Sequence, residues 1–282
     1  MDFPMIRALI ILFCLCPAIA LAQQVQIQKI NPPLWWVGME HNDLELMVYG
    51  PNISDAKISI NYPGVTLTGV TQVENPNYLF VNLRIDNART KPGLVPIIFT
   101  QGQSQLTVQY QLGQKGQSPD RIQGLSTGDL VYLIMPDRFA NGDPENDIVK
   151  GMQQEESSRT ETYQRHGGDI QGIIDHLDYL ENLGATALWL NPAEENNQPE
   201  ESYHGYAATD HYVVDARLGT NKLYKQLVEE LHKRDMKMVR DVVFNHVGNQ
   251  HWFIKDLPSQ DWVHQWPEFT KTTYRAPVYL DP

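Results

Sequence analysis

Apolar and polar side chains alternate in short runs through the first third of the chain. Leu44, Leu46 and Val48 are spaced by two, as are Ile58, Ile60 and Tyr62, and residues 78–85, 94–100 and 106–112 repeat the pattern. A period of two marks a strand with one buried face. Turn signals separate the runs: Gly50-Pro51-Asn52, Pro63-Gly64, Asn75-Pro76-Asn77 and Lys91-Pro92-Gly93. No helical stripe interrupts them, so the spacing predicts a small antiparallel β-sandwich of immunoglobulin type over residues 23–115. Residues 116–128 read as a linker, because the stretch 114–124 is polar and carries two glycines and a proline.

After Ser126 the pattern changes. Residues 130–135 form a continuous apolar run, which predicts a strand buried on both faces. Ile170, Ile173, Ile174, Leu177, Leu180 and Leu183 then recur at helical spacing, and Gly184 stands where a helix ends. A short strand over 187–190, a second amphipathic helix over 221–236 and a strand over 238–244 follow. This βαβαβ order predicts parallel strands with right-handed crossovers, in an open sheet or part of a barrel. The connection 138–168 is far longer than the ~2 to 6 residues usual between strand and helix. Something has to order it.

The first 22 residues read as an export signal. Arg7 precedes an apolar run, and Ala20-Leu21-Ala22 stands before Gln23, which places cleavage after Ala22 and the protein in the periplasm or outside the cell. The apolar run is too short for a membrane anchor, and no later stretch could span a bilayer. Cys14 and Cys16 both lie inside this segment, so the mature chain has neither a disulfide nor a Cys-ligated metal. Phe13 and Leu15 stand where a lipoprotein signal would want small residues. The 22 Lys plus Arg against 34 Asp plus Glu leave a formal charge of -12, which argues against nucleic acid as a partner.

Candidate chemistry begins in the long loop. Asn141-Gly142-Asp143-Pro144-Glu145-Asn146-Asp147 packs oxygen-bearing side chains around two backbone-bending residues, as a calcium site needs and as a solvated acidic turn also would. An EF-hand is excluded, because its sixth position would be Asn146 and its twelfth Met152. Asp169, after Gly167-Gly168, is placed to cap a helix, and it could also face a cation. Tyr206, in Tyr203-His204-Gly205-Tyr206, could pack or could stack on a sugar ring. Asp241 and His246 close the third strand in Arg240-Asp241-Val242-Val243-Phe244-Asn245-His246. Strand alternation would send Asp241, Val243 and Asn245 to one face. A carboxylate inside an apolar strand needs a partner, and nothing in the sequence identifies it; His246 could equally be a turn hydrogen-bonder.

The stretch 131–143, then His204-Gly205-Tyr206, then 241–246 together resemble the α-amylase family of glycoside hydrolases, within it the neopullulanase and cyclomaltodextrinase branch. Residues 31–39, with Trp35 and Trp36, look like the start of the sandwich that precedes the barrel in exported members. The resemblance implies an immunoglobulin-like sandwich followed by the first part of a TIM (β/α)8 barrel: three β/α units over 129–246, then a loop-rich insertion from 247 to 282. It implies that His246 hydrogen-bonds the glucose unit at the cleavage point, that Tyr206 stacks on that unit, and that Asp241 orients an arginine preceding the nucleophile. It also implies a calcium held by Asn141, Asp143, Asn146, Asp147, the carbonyl of Gly167, and Asp169. Asn245 matches a ligand of another calcium, often missing in this branch, and is left out of the set. Trp35 and Trp36 read as sandwich core or interface packing, with a sugar platform as the other reading.

The implied partner is an α-glucan or maltooligosaccharide, with relatives often pairing through the sandwich as a homodimer. The family's nucleophilic Asp and acid/base Glu lie after the fourth and fifth strands, and no Gly-x-Arg-x-Asp pattern follows His246. The contexts of Asp256, Asp261 and Glu268 do not match either. The sequence therefore reads as an α-glucan hydrolase cut after three barrel strands, without a catalytic residue, marginal and aggregation-prone in its second half. The alternative is a calcium-dependent carbohydrate-binding protein without catalysis. An independent doubly wound domain is disfavoured by the missing glycine-rich phosphate loop.

Overall fold

The computed structural model describes residues 24–116 and 124–268. Residues 1–23, on which the export-signal reading falls, residues 117–123 of the expected linker, and residues 269–282 lie outside the described residues. Eight strands make the first half: β1 (Lys29–Asn31), β2 (Leu34–Val37), β3 (Asp43–Tyr49), β4 (Lys57–Ile60), β5 (Val65–Gln72), β6 (Tyr78–Ile85), β7 (Gly93–Gln101) and β8 (Ser104–Gln114). They form two four-stranded sheets, β1-β3-β6-β5 and β2-β8-β7-β4. Leu44, Leu46 and Val48 from one sheet and Val95, Ile97 and Phe99 from the other meet in the core between them, as the two-residue period requires.

Three of these strands escape the sequence pattern. β1 and β2 are short and belong to different sheets, with Pro32 and Pro33 at the switch where no ladder hydrogen bond could be donated. β5 pairs with β6 through a register shift between Leu67 and Gly69, and that bulge breaks the alternation.

The second half has β11 (Glu194–Glu195) and β12 (Asp210–Val214) as a separate antiparallel pair and is built on a three-stranded parallel sheet in the order β13-β10-β9, from β9 (Val131–Ile134), β10 (Ala187–Leu190) and β13 (Lys237–Arg240). Each strand lies beside its predecessor, so the direction never reverses as it would in a doubly wound sheet. Helices α2 (Ile170–Asp175), α3 (Leu177–Asn182) and α4 (Asn221–His232) connect them. Ile170, Ile173, Leu177, Leu180, Leu227 and Leu231 pack on Ile134, Leu188 and Leu190.

The expected single helix over 170–183 is broken at His176, whose ring Nδ1 takes the Gly172 carbonyl at 2.7 Å, with backbone angles of φ -112° and ψ 16°. Gly184 ends α3 as expected: its own N–H reaches the Glu181 carbonyl, and that of Ala185 reaches Leu180, a Schellman pair. The second helix stops at His232 instead of 236, because Asp235 turns left-handed at φ 56° and Met236 returns its N–H to Leu231. The third strand also ends early. Its last paired residue is Arg240, opposite Leu190, after which β10 runs into Asn191-Pro192 and offers no further ladder. Asp241 to His246 are therefore loop, and strand alternation does not place them.

The expectation that residues 130–135 are buried on both faces is overturned. Leu133 is 57% and Trp189 41% exposed, while Ile134, Leu188 and Leu190 are buried. One face of the sheet carries the helices and the other is open among the described residues. Leu133→Thr should therefore change unfolding free energy by no more than about 0.5 kcal/mol and reduce self-association seen in sedimentation. Ile134→Thr should cost about 2–4 kcal/mol in the same denaturation series. Equal effects of the two would contradict the assignment of faces.

Candidate functional site

The long loop closes on one carboxylate. Asp137, in helix α1 (Pro136–Phe139) just past β9, is buried. It accepts the backbone N–H of His166 at 2.9 Å and of Gly167 at 3.4 Å, and pairs with Arg138 at 3.2 Å and buried Arg165 at 3.6 Å. The carbonyl of Asp137 takes the N–H of Gly168, and that of Ala140 takes the N–H of Asp169. Both ends of the loop are thereby fixed to the end of one strand. Arg165 continues inward to the carbonyl of Ser202 at 3.3 Å. Beneath it, Asp215 and Arg217 form a fully buried bidentate pair at 2.9 and 2.8 Å. Burial pushes the Asp215 carboxyl up, but the hydrogen bonds from Arg217 and the charge of Arg165 outweigh it and hold the group below its ordinary range.

Inside the loop, Asp169 caps α2 through the N–H of Gly172 at 2.6 Å and also accepts those of Gly142 and Asp143, at 3.1 and 2.8 Å. Both of its oxygens serve the loop frame. Asp143 caps the next turn, accepting the N–H of Glu145 at 3.2 Å. Asn141 donates to Asp147 at 2.7 Å. Gly167 stands against both, at φ 82°; a Cβ there would lie 2.5 Å from Asp147 Oδ1 and 2.8 Å from Asn141 Nδ2, so only glycine fits. Asn141 Oδ1 and Asn146 Oδ1 are buried without a hydrogen-bond donor. Burial raises the Asp147 carboxyl above its ordinary value, with the Asn141 hydrogen bond opposing and the charges of Asp169 and Asp137 adding. Among the described residues no group of three His, Cys, Asp or Glu converges as a metal site. The donors here are of another type, two unpaired amide oxygens and a half-buried carboxylate beside a glycine backbone, a set that suits a hard cation.

The second cluster sits at the C-terminal ends of β10 and β13. Tyr206 is its hub. Its phenol donates to Asp241 Oδ2 at 2.9 Å, and its carbonyl accepts from His246 Nε2 at 2.9 Å. Its backbone N–H reaches His204 Nδ1 at 2.8 Å. The His204 ring stacks on that of Tyr206, with centroids 5.9 Å apart and planes 27° from parallel. Burial lowers the His204 imidazole, partly opposed by the Glu201 charge, which keeps Nδ1 free as an acceptor. Gly205 makes the approach feasible: at φ 83°, a Cβ would lie 2.1 Å from the Pro192 carbonyl. Burial, and then the hydrogen bond and charge of Asp241, raise the Tyr206 phenol. The partner that Asp241 needed is thus Tyr206, together with Trp189, whose Nε1 donates at 3.2 Å.

Comparison with known proteins finds a match for each half of the chain. The alpha amylase catalytic-domain model matches residues 133–278, and the cyclomaltodextrinase N-terminal model matches residues 29–116. The chain belongs to the α-amylase family of glycoside hydrolases. It is 39% identical to neopullulanase 2 of Thermoactinomyces vulgaris over 128 residues, covering 45% of this chain and 21% of that protein. It is 35% identical over 158 residues to a cyclomaltodextrinase of Thermoanaerobacter pseudethanolicus, covering 52% and 26%. The β/α-amylase of Paenibacillus polymyxa is 39% identical over 150 residues, covering 52% and 12%. A solved α-amylase from Anoxybacillus shares 43% identity over 49% of this chain and 28% of its own, with a TM-score of 0.42. The chain therefore spans about a quarter or less of the curated relatives named here.

Within this member of the family, the structure brings Tyr206, Asp241 and His246 into one hydrogen-bonded group, and Asn141 and Asp147 into another with Gly167 packed against them. Asn146 lies in the turn that Asp143 caps, and Asp143 and Asp169 serve backbone N–H groups. Asn245 is exposed, with its amide 3.5 Å from His246 Nδ1. Trp35 is packed against the sandwich core, while Trp36 is exposed. Sequence reasoning missed three contributors. Asp137 could have been found as a charge directly after an apolar strand. Trp189 is an outward aromatic in an otherwise buried strand. Arg138, whose guanidinium lies 4.1 Å over the Tyr203 ring, left no signal of its own. Asp137→Asn should destabilise the chain by about 3–5 kcal/mol in urea, because it removes one of the two carboxylates that face buried Arg165 and weakens the acceptor that closes the loop. A loss below about 1 kcal/mol would show that the loop is closed by other contacts.

Proposed function

We propose that this chain supplies the sandwich and the first three β/α units of an exported α-glucan hydrolase of neopullulanase or cyclomaltodextrinase type, with a maltooligosaccharide held at Tyr206 and His246. The observation that carries the reading is the hub at Tyr206, where one residue fixes Asp241 through its phenol and His246 through its carbonyl. Its ring rests on His204 on one side and is 38% exposed, which suits stacking against the apolar face of a glucose unit. Chemistry of this class needs two carboxyl groups about 5 Å apart. Among the described residues, Asp241 is the one carboxylate hydrogen-bonded within the cluster, and Asp261 is bound to Ser259 instead. Produced by itself, the 282-residue chain binds and orients sugar without turning it over.

The neopullulanase, cyclomaltodextrinase and maltogenic amylase relatives support a glucan substrate. The same reading places calcium in the long loop, held by Asn141, Asn146, Asp147 and the Gly167 carbonyl, with Asp143 and Asp169 framing it. Bound there, calcium neutralises the half-buried Asp147 carboxylate and gives the two unpaired amide oxygens a partner. Pairing of two copies through the sandwich remains part of the proposal.

Two experiments test this reading. Maltoheptaose should bind the chain in calorimetry, Tyr206→Ala and His246→Ala should each weaken it about tenfold or more, and no reducing sugar should be released from pullulan or cyclodextrin. Turnover above a blank would overturn the assignment. Calcium at 100 times its Kd should stabilise the fold by about 2.7 kcal/mol and EGTA should remove the gain; Asp147→Asn should abolish the response. The sign with pH follows from Asp147, whose folded pKa lies above its ordinary 3.8. In calcium-free buffer the folded chain holds the extra proton, so stability falls as pH rises through that window. Calcium takes the proton's place, so its stabilisation should be present above the window and vanish below it.

A further inference from the structure

We propose that the sandwich positions the sugar-facing loop: residues 248–262 form a strap fastened to the sandwich through Asp256 and to the Tyr206 loop through Gly248. The sugar-binding role of Tyr206 and His246 rests on the reading above, whereas the strap is argued from contacts alone. Alternation sends Met47, Tyr49 and Phe80 to the outer face of the first sheet, where polar residues would be ordinary, yet all three are half-buried. Helix α5 (Trp252–Lys255) and the turn after it cover them. Trp252 lies 5.2 Å from the Tyr49 ring and 6.2 Å from that of Tyr78, nearly parallel to the latter, and Trp262 lies 6.0 Å from Phe80.

Asp256 fixes the register of this cover. Its carboxylate accepts from Tyr49 Oη at 3.0 Å, Asn77 Nδ2 at 2.8 Å and Asn75 Nδ2, and its carbonyl accepts from Tyr78 Oη. The backbone N–H of Asn75 adds a bond to the Pro258 carbonyl at 3.0 Å. Every one of these donors belongs to the sandwich, and every one is neutral. A partly desolvated carboxylate with that many neutral donors is held by geometry, and a displaced strap would leave it without them.

The other end is fixed equally closely. Gly248 donates to the Ala208 carbonyl at 2.9 Å, and a Cβ on it would lie 2.3 Å from the Ala207 carbonyl and 2.1 Å from Gln198 Nε2. Ala207 follows Tyr206 directly, and His246 precedes Gly248 by two residues while bonded to the Tyr206 carbonyl. A short chain path therefore joins the sandwich to both sugar-facing side chains. Asp256 acts on the site through that path and is a positioning residue.

The test uses hydrogen exchange on the 282-residue chain. Asp256→Ala, and independently Asn77→Asp, which sets a like charge against Asp256, should speed exchange about tenfold in the strap and also at residues 204–210 and 246–250, with β10 and the sandwich core unchanged. Asp256→Asn, which keeps an acceptor, should restore the slow rates in part, and Asp261→Ala on the same segment should have no effect. Faster exchange confined to 252–262, or wild-type rates throughout in Asn77→Asp, would overturn the proposal. If wild-type chain binds no maltoheptaose but the coupled exchange is seen, the strap stands and the sugar reading fails.

Discussion

Where β9 ends, a buried aspartate must be satisfied, and the barrel half is arranged around that requirement. Asp137 cannot be left without donors at its depth, and the nearest ones lie about thirty residues further along, at His166 and Gly167. Meeting them brings the long loop back to its starting point and sets the entry to α2. The same logic repeats one layer deeper, where Arg217 and Asp215 tie the backbone at Gln154 and Asn196 into one network. Apolar side chains of equal volume could match such buried ions in net stability. They could not choose which backbone segments meet. Direction is what the ion pairs contribute here, and the loop that carries the candidate calcium ligands depends on it.

How much of this is legible in the sequence depends on whether an element is specified locally. β6 and β10 have the bounds that alternation and apolar run length predict, because their periods are unbroken from end to end. β5 escapes because a bulge between Leu67 and Gly69 shifts the period halfway through. The helix between β9 and β10 reads as one piece because its apolar stripe is continuous, and the break at His176 comes from a side chain competing for a backbone carbonyl. The third strand was overextended because its end is set by its neighbour: β13 stops pairing when Pro192 approaches on β10, which no pattern within 238–244 can record. The candidate site follows the same rule. The residue types at Asp241 and His246 are visible, but their convergence on Tyr206 spans forty positions and depends on where two strands stop.

The open face of the parallel sheet is a second constraint. Helix burial accounts for Ile134, Leu188 and Leu190, while Val131, Leu133 and Trp189 face away from the helices. The sandwich does not share this imbalance, since its two sheets close on each other. Its outward apolar patch around Tyr49 and Phe80 is covered by the strap. Cooperative stability should therefore be concentrated in the sandwich and in the layer between the sheet and α2, α3 and α4, with the open face contributing little.

As the proposed sugar surface, Tyr206 is held rigid and still free on one side of its ring. Its phenol, carbonyl and N–H are all taken by protein, by Asp241, His246 and His204 respectively. A ring held at its polar tip and at both backbone atoms loses little further freedom when a ligand arrives, so less of the contact energy is lost to ordering. Because His204 lies against one side of the ring, the surface left to a ligand is its other side. His246 is fixed through Nε2, which leaves Nδ1 as the ring nitrogen available to a sugar hydroxyl, apart from the long 3.5 Å approach of Asn245. In the tautomer that carries its proton on Nε2, Nδ1 is an acceptor, and a hydroxyl facing it donates. On the proposed function, this geometry selects the orientation of the sugar as well as its face.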